Sequence, residues 1–192
     1  MAVDASEKVV TIFSVASTTV TKRERPNPRG VELMRLADSM ALNTKNMKRS
    51  VLFICFHNSA RSQMAEALVN HFCSDDFAAE SAGIEAGTLN PYAVRVMAEI
   101  GIDISAGSPR KVFEVVKTGK VFGHAISLCD EASDGRCPII PRHGTRHHWG
   151  FPNPASSDGT EEERMERMRN VRDLIRRRIQ EWCADECKMT AV

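Results

Sequence analysis

Cys55, Asn58, Arg61 and Ser62 stand within eight residues of one another and are of types that can handle an oxyanion. A thiolate is a nucleophile, and a guanidinium offers a planar fork of donors that matches a tetrahedral oxyanion. Ser62 can hydrogen-bond a thiolate or a departing sulfur. Asn58 is of a type that tolerates the left-handed backbone a tight cradle needs. A lone cysteine at a strand end is by default a small buried apolar residue. Here the arginine, asparagine and serine around it argue for chemistry instead.

The elements that would position these residues are legible on either side. Val51, Leu52, Phe53 and Ile54 form a short apolar run, the pattern of a buried strand. From Arg61 to Phe72, the residues Met64, Ala65, Leu68, Val69 and Phe72 recur at helical spacing. The residues between, Cys55 to Ala60, make a tight strand-to-helix turn. The start of a helix leaves backbone N–H groups without partners and adds the positive end of the helix dipole. The backbone of Phe56, His57, Asn58, Ser59, Ala60 and Arg61 is therefore the expected oxyanion cradle, with Cys55 at its focus, where the field favours thiolate over thiol.

Strand and helix patterns then alternate: a strand over 77–82, a helix over 91–100 stopped by Gly101, a short helix over 111–116 and a strand over 121–128. A proline-rich loop over 148–155 follows, weakly strand-like at its start. The last element is a helix from Thr160 to about Cys183. Met165, Met168, Val171, Leu174, Ile175, Ile179 and Trp182 form its apolar stripe, with Glu161 to Glu163 at its start and Arg176 to Arg178 near its end. This alternation predicts an α/β fold: a three-layer, flavodoxin-like, doubly wound parallel sheet of about four strands, its site at the carboxyl ends of the strands.

Cys129 and Cys137 flank the segment DEASDGR just after the predicted third strand. That strand should end beside the first, bringing Cys129 near Cys55. A loop carrying two cysteines above an activated cysteine suggests a relay of thiol–disulfide exchange. Two unrelated cysteines, or a zinc site completed by His143, His147 and His148, are the other readings; the spacing of the pair is long for a zinc knuckle. Cys73 reads as a bystander, and Cys183 and Cys187 as surface cysteines of a frayed terminus.

With 192 residues the chain can hold one full domain and an appendage. A formal net charge of +1 makes no case for nucleic acid or membrane as partner, and no apolar run approaches the roughly 20 residues of a membrane span. The six irregularly spaced cysteines suit a reducing compartment, hence the cytoplasm. Residues 1–48 differ in character and are read as an N-terminal extension, partly helical or disordered. The catalytic domain is expected over 49–183 and a tail over 184–192.

The segments CFHNSARSQMAEAL, ESAG, NPYAVRVMAEIGIDIS, LCDEASDGRCP and HWGFPNPA together resemble the thioredoxin-coupled arsenate reductases, over roughly three quarters of the chain. That family shares its fold and anion loop with the low-molecular-weight protein tyrosine phosphatases. The resemblance implies that Cys55 attacks arsenate held by Arg61 and the loop N–H groups. Cys129 would then attack Cys55 and release arsenite, and Cys137 would take over the disulfide. Thioredoxin or a similar dithiol would restore the enzyme, a monomer without tightly bound cofactor.

Two positions depart from the family pattern. The loop acid is replaced by Asn153, an amide that cannot deliver a proton. Some members hold a potassium ion beside the loop; Asn58, Glu66 and Ser81 match that set, but no acidic residue near Val112 completes it. The alternatives to a reductase are a phosphatase and a non-catalytic arsenic or thiol-redox sensor.

Overall fold

The computed structural model describes residues 47–130, 144–155 and 158–189. The elements in chain order are β1 (Arg49–Cys55), α1 (Arg61–Phe72), β2 (Phe77–Gly83), α2 (Pro91–Ala98), α3 (Val112–Lys117), β3 (His124–Ser127), β4 (Thr145–His148) and α4 (Glu161–Met189). The strands pair in the order β2-β1-β3-β4, all parallel. This is the expected doubly wound sheet. Its fourth strand lies over Thr145–His148, ahead of the proline-rich loop, and β3 is shorter than the apolar run that announces it.

Strand alternation divides the core in two. Val51, Phe53 and Cys55 face a large cluster that includes Met64, Leu68, Val96, Met168 and Ile175, built from α1, α2 and α4. Leu52 and Ile54 face the opposite side and pack with Ala82, Phe122 and the α3 residues Val112 and Val115. Helices thus cover both faces. Because β2 lies on one side of β1 and β3 on the other, the carboxyl ends of β1 and β3 flank the crevice where this topology reverses direction, the usual place for a ligand.

Local chemistry explains the helix ends. Asn90 caps α2, its Oδ1 accepting from the backbone N–H of Tyr92 at 2.8 Å. Thr160 and Glu163 exchange side chain-to-backbone hydrogen bonds before α4, a reciprocal capping box. Gly101, at φ 79°, ends the turn after α2 in the left-handed region that glycine adopts without penalty.

Several expectations need correction. The last helix continues to Met189, so residues 184–189 belong to it and Arg176 to Arg178 lie in its middle; Lys188 is the base in its last turn. Leu174 is 39% exposed, whereas Arg172 is buried, its Nη1 donating to the Val96 carbonyl at 2.8 Å and pairing with Glu99. Phe72 is 40% exposed, with the Arg176 guanidinium over its ring. Cys73 is no bystander: it forms a disulfide with Cys183, joining the end of α1 to α4 across 110 residues of sequence. Residues 1–46 and 190–192 of the expected extension and tail, and Cys137, lie outside the described residues.

Candidate active site

The loop from Cys55 to Ala60 is shaped by where its carbonyls go. Those of Cys55, Phe56, His57 and Ser59 accept from the N–H groups of Ile84, Glu85, Gly87 and Asn90, at 2.9–3.2 Å. In a trans peptide the C=O of one residue and the N–H of the next point in opposite directions. Turning these four carbonyls outward therefore aims the N–H groups of Phe56, His57, Asn58 and Ala60 inward. The Asn58 N–H donates to Cys55 Sγ at 3.2 Å. Asn58 has φ 52°, the left-handed conformation expected of it.

A buried polar network holds the loop from below. Cys55 Sγ lies 2.9 Å from Ser62 Oγ. The Asn58 side-chain amide donates to both Ser62 Oγ and Ser81 Oγ, at 2.8 Å each, and its Oδ1 accepts from Gln63 Nε2 and from the Arg110 backbone N–H. Ser81 in turn donates to Glu66 at 2.6 Å. Burial pushes the Glu66 carboxyl above its usual range, an effect that the Ser81 hydroxyl partly offsets. Gly83 completes the floor. A Cβ there would come within 2.8 Å of both Asn58 N and Phe56 O, so the loop can rest only on glycine.

Arg61 is buried and directs Nη1 to the carbonyls of Leu128 and Phe151, at 3.2 and 2.9 Å. Leu128 immediately precedes Cys129, which is fully buried, and Phe151 lies in the proline-rich loop. The guanidinium thus joins the anion loop to both segments beyond the sheet. Asp130 lies 3.8 Å from the same Nη1, with its side chain about one-third exposed. Sequence reasoning missed this acid, because its proximity to Arg61 depends on how β3 ends beside β1.

The structure therefore joins Cys55, Asn58 and Ser62 by hydrogen bonds, while the Arg61 guanidinium rests on Leu128 and Phe151, Leu128 being the residue next to Cys129. Asn153 is exposed and uses its Oδ1 on the Ala155 N–H at 3.2 Å, stabilising its own turn. His57 is exposed and 3.9 Å from Glu85. The potassium set does not fit a cation well. The oxygens of Asn58 and Ser81 are engaged with Gln63, Arg110 and Glu66, and Arg110, whose guanidinium pairs with Glu80 at 3.0 Å, also exerts its positive charge on Glu66.

A cysteine in an N–H cradle at the switch point of a parallel sheet, with an arginine at the start of the following helix, is the geometry of an oxyanion-handling α/β protein. The model of the low molecular weight phosphotyrosine protein phosphatase family matches residues 50–190. The arsenate reductase of Shouchella clausii is 43% identical over 135 residues, 70% of this chain and 95% of that protein. That of Bacillus subtilis is 42% identical, over 69% and 93%. Among solved structures, an arsenate reductase from Archaeoglobus fulgidus aligns at a TM-score of 0.58 and 33% identity, covering 70% of this chain and 98% of its own. A tyrosine phosphatase of Erwinia amylovora shares the fold, at a TM-score of 0.57. The chain belongs to the low molecular weight phosphotyrosine protein phosphatase family, on its arsenate reductase branch.

Proposed function

We propose that this chain reduces arsenate to arsenite through thiol chemistry that begins at Cys55. The Cys55 thiolate attacks arsenic and displaces a protonated oxygen as water, forming a sulfur–arsenic bond. The cradle N–H groups and Arg61 stabilise the negative oxygens throughout. A thiolate at Cys129 then attacks Cys55 Sγ. The electron pair of the sulfur–arsenic bond stays with arsenic, which leaves as arsenite, and a Cys55–Cys129 disulfide forms. Cys137 attacks Cys129, freeing Cys55, and a reduced dithiol protein such as thioredoxin supplies the two electrons that open the final disulfide. This chemistry suits the cytoplasm, where such a reductant is available.

The observation that carries this reading is the Arg61 hydrogen bond to Leu128. It ties the arginine to the residue adjoining Cys129, and that cysteine is what the relay uses and a plain phosphatase mechanism does not require. The test is arsenate-dependent oxidation of NADPH through thioredoxin and its reductase, for the wild type and for Cys55→Ser, Cys129→Ser and Cys137→Ser. Each substitution should abolish turnover. Aryl phosphate hydrolysis without thiols that survives Cys129→Ser would replace the reductase with a phosphatase.

Asp130 is the acid we assign to protonate the departing oxygen, since the Asn153 amide cannot. Asp130→Asn should slow single-turnover adduct formation by about 10²-fold. An unchanged rate in Asp130→Asn together with a faster Asn153→Asp would return that role to the proline-rich loop. The Arg110 charge supports turnover that does not depend on potassium, so replacing potassium by sodium at constant ionic strength should leave the rate unchanged.

A further inference from the structure

On the face of the sheet that packs against α4, two imidazoles and a carboxylate converge. His124 opens β3, His147 lies in β4 and Glu186 comes from the last turns of α4. In the parallel register Ile126 pairs with His147, so His124 and His147 project from the same sheet face, toward α4. Their rings stack with centroids 5.7 Å apart. One ring nitrogen from each histidine and one carboxylate oxygen of Glu186 lie within 4.8 Å of one another. We propose that His124, His147 and Glu186 form a binding site for a divalent transition-metal ion, zinc being the ion that suits two imidazoles and a carboxylate.

Three observations favour a ligand here over a merely packed histidine pair. First, the imidazoles are incompletely satisfied: the His147 Nε2 atom is buried without a hydrogen-bond partner among the described residues, and so is Nδ1 of His124, a residue 7% exposed whose other nitrogen, Nε2, is the one that faces Glu186. Buried nitrogen without a partner is costly. Second, His124 Nε2 and Glu186 Oε2 are 3.8 Å apart, near the roughly 3.3 Å edge that tetrahedral bonds of about 2.0–2.1 Å would set. Third, Arg49 donates to Glu186 Oε2 at 3.1 Å, the kind of outer partner that orients a ligating carboxylate.

Desolvation lowers the pKa of both imidazoles and favours the neutral, metal-binding form, against the pull of Glu186. Arg49 beside His124 and Arg178 beside His147 add positive charge, which favours neutral imidazole but weakens attraction for a cation. The indoles of Trp182 and Trp149 surround the pair: Trp182 is 5.1 Å from His124 and 6.3 Å from His147, and Trp149 is 6.3 Å from His147, centroid to centroid. With the carboxylate partly exposed and β4 at the edge of the sheet, the site lies near solvent.

Because these are the chain's two tryptophans, its fluorescence reports directly on the site. The full-length protein is titrated with Co²⁺, following tryptophan quenching and the visible spectrum, and Zn²⁺ is then added in competition. The expected result is saturable quenching by one equivalent of Co²⁺, d–d bands without thiolate charge transfer, and displacement by Zn²⁺. Loss of an outer partner alone typically costs about 10–100-fold in affinity, so His124→Gln and His147→Gln should each weaken binding by more than about 100-fold. Glu186→Gln, at a partly exposed position, should weaken it by at least about 10-fold and remains informative if the histidine variants fail to fold. Absence of quenching, a cobalt spectrum of thiolate type alone, or unchanged affinity in folded variants would overturn the proposal.

Discussion

Arg61 donates to the carbonyl of Leu128 at 3.2 Å, so the arginine of the anion loop is in contact with the residue next to Cys129. One guanidinium thereby links the loop at the end of β1 to the segment that carries Cys129 after β3. In the proposed mechanism, arsenate draws the same group from the backbone carbonyls and the nearby Asp130 toward its own oxygens.

Arg61→Lys keeps the charge but loses the planar fork that spans the two carbonyls and an oxyanion. Removing a comparable oxyanion donor costs about 10²–10³-fold in rate. A fall of that size in kcat/KM for arsenate is expected, with folding retained. Steady-state kinetics alongside circular dichroism would check it, and near wild-type kcat/KM would refute it.

Gly83→Ala should disturb the cradle from beneath. The added Cβ meets Asn58 N and Phe56 O, both backbone atoms that cannot swing aside. Forced repacking of this kind costs typically about 1–3 kcal/mol. Urea unfolding should register that loss, and rapid-mixing measurements of arsenate binding should show it slowed or weakened. Equal stability would mean that the loop floor can shift.

Glu66 provides a test by pH. Burial raises its folded pKa above the ordinary 4.5, so its ionised form is disfavoured in the folded chain. For a raised pKa, the stability associated with this group is full below the unfolded value and is lost as pH rises through the folded one. Gln at this position accepts the Ser81 hydrogen bond without needing to ionise. Glu66→Gln should therefore be more stable than wild type at pH 7, and the advantage should vanish below about pH 4. Urea midpoints at the two pH values decide it; a variant less stable at pH 7 than at pH 4, relative to wild type, contradicts the assignment.

The Cys73–Cys183 bond closes a long stretch of chain and should add stability chiefly by restricting the unfolded state, typically about 2–4 kcal/mol. Oxidised wild type should unfold at higher urea than Cys73→Ser, and dithiothreitol should remove most of the difference. Peptide mapping without reduction should recover residues 73 and 183 in one linked species. Its absence from oxidised protein would show that these two thiols remain apart.

Much of the fold was written in local pattern. The apolar run before Cys55, the helical spacing after Arg61 and the alternation beyond are short-range signals, and they led to a parallel α/β sheet with the loop at its carboxyl end. Where the pattern misled, tertiary contacts were responsible. Leu174 lies on the apolar stripe yet is partly exposed, while Arg172 is buried because Val96 and Glu99 supply partners for its guanidinium. The last helix outruns its apolar stripe, and Glu186, in that added length, engages Arg49 of β1.

By itself, the sequence pointed to oxyanion chemistry at the loop, since a cysteine, an arginine and a strand-to-helix turn at that spacing suit an oxyanion. The outward carbonyls, the need for glycine at position 83, the contact from Arg61 to Leu128 and the grouping of His124, His147 and Glu186 were decided only in three dimensions. Each joins residues far apart in the chain, and such proximity follows from strand order and helix packing, which no local spacing records.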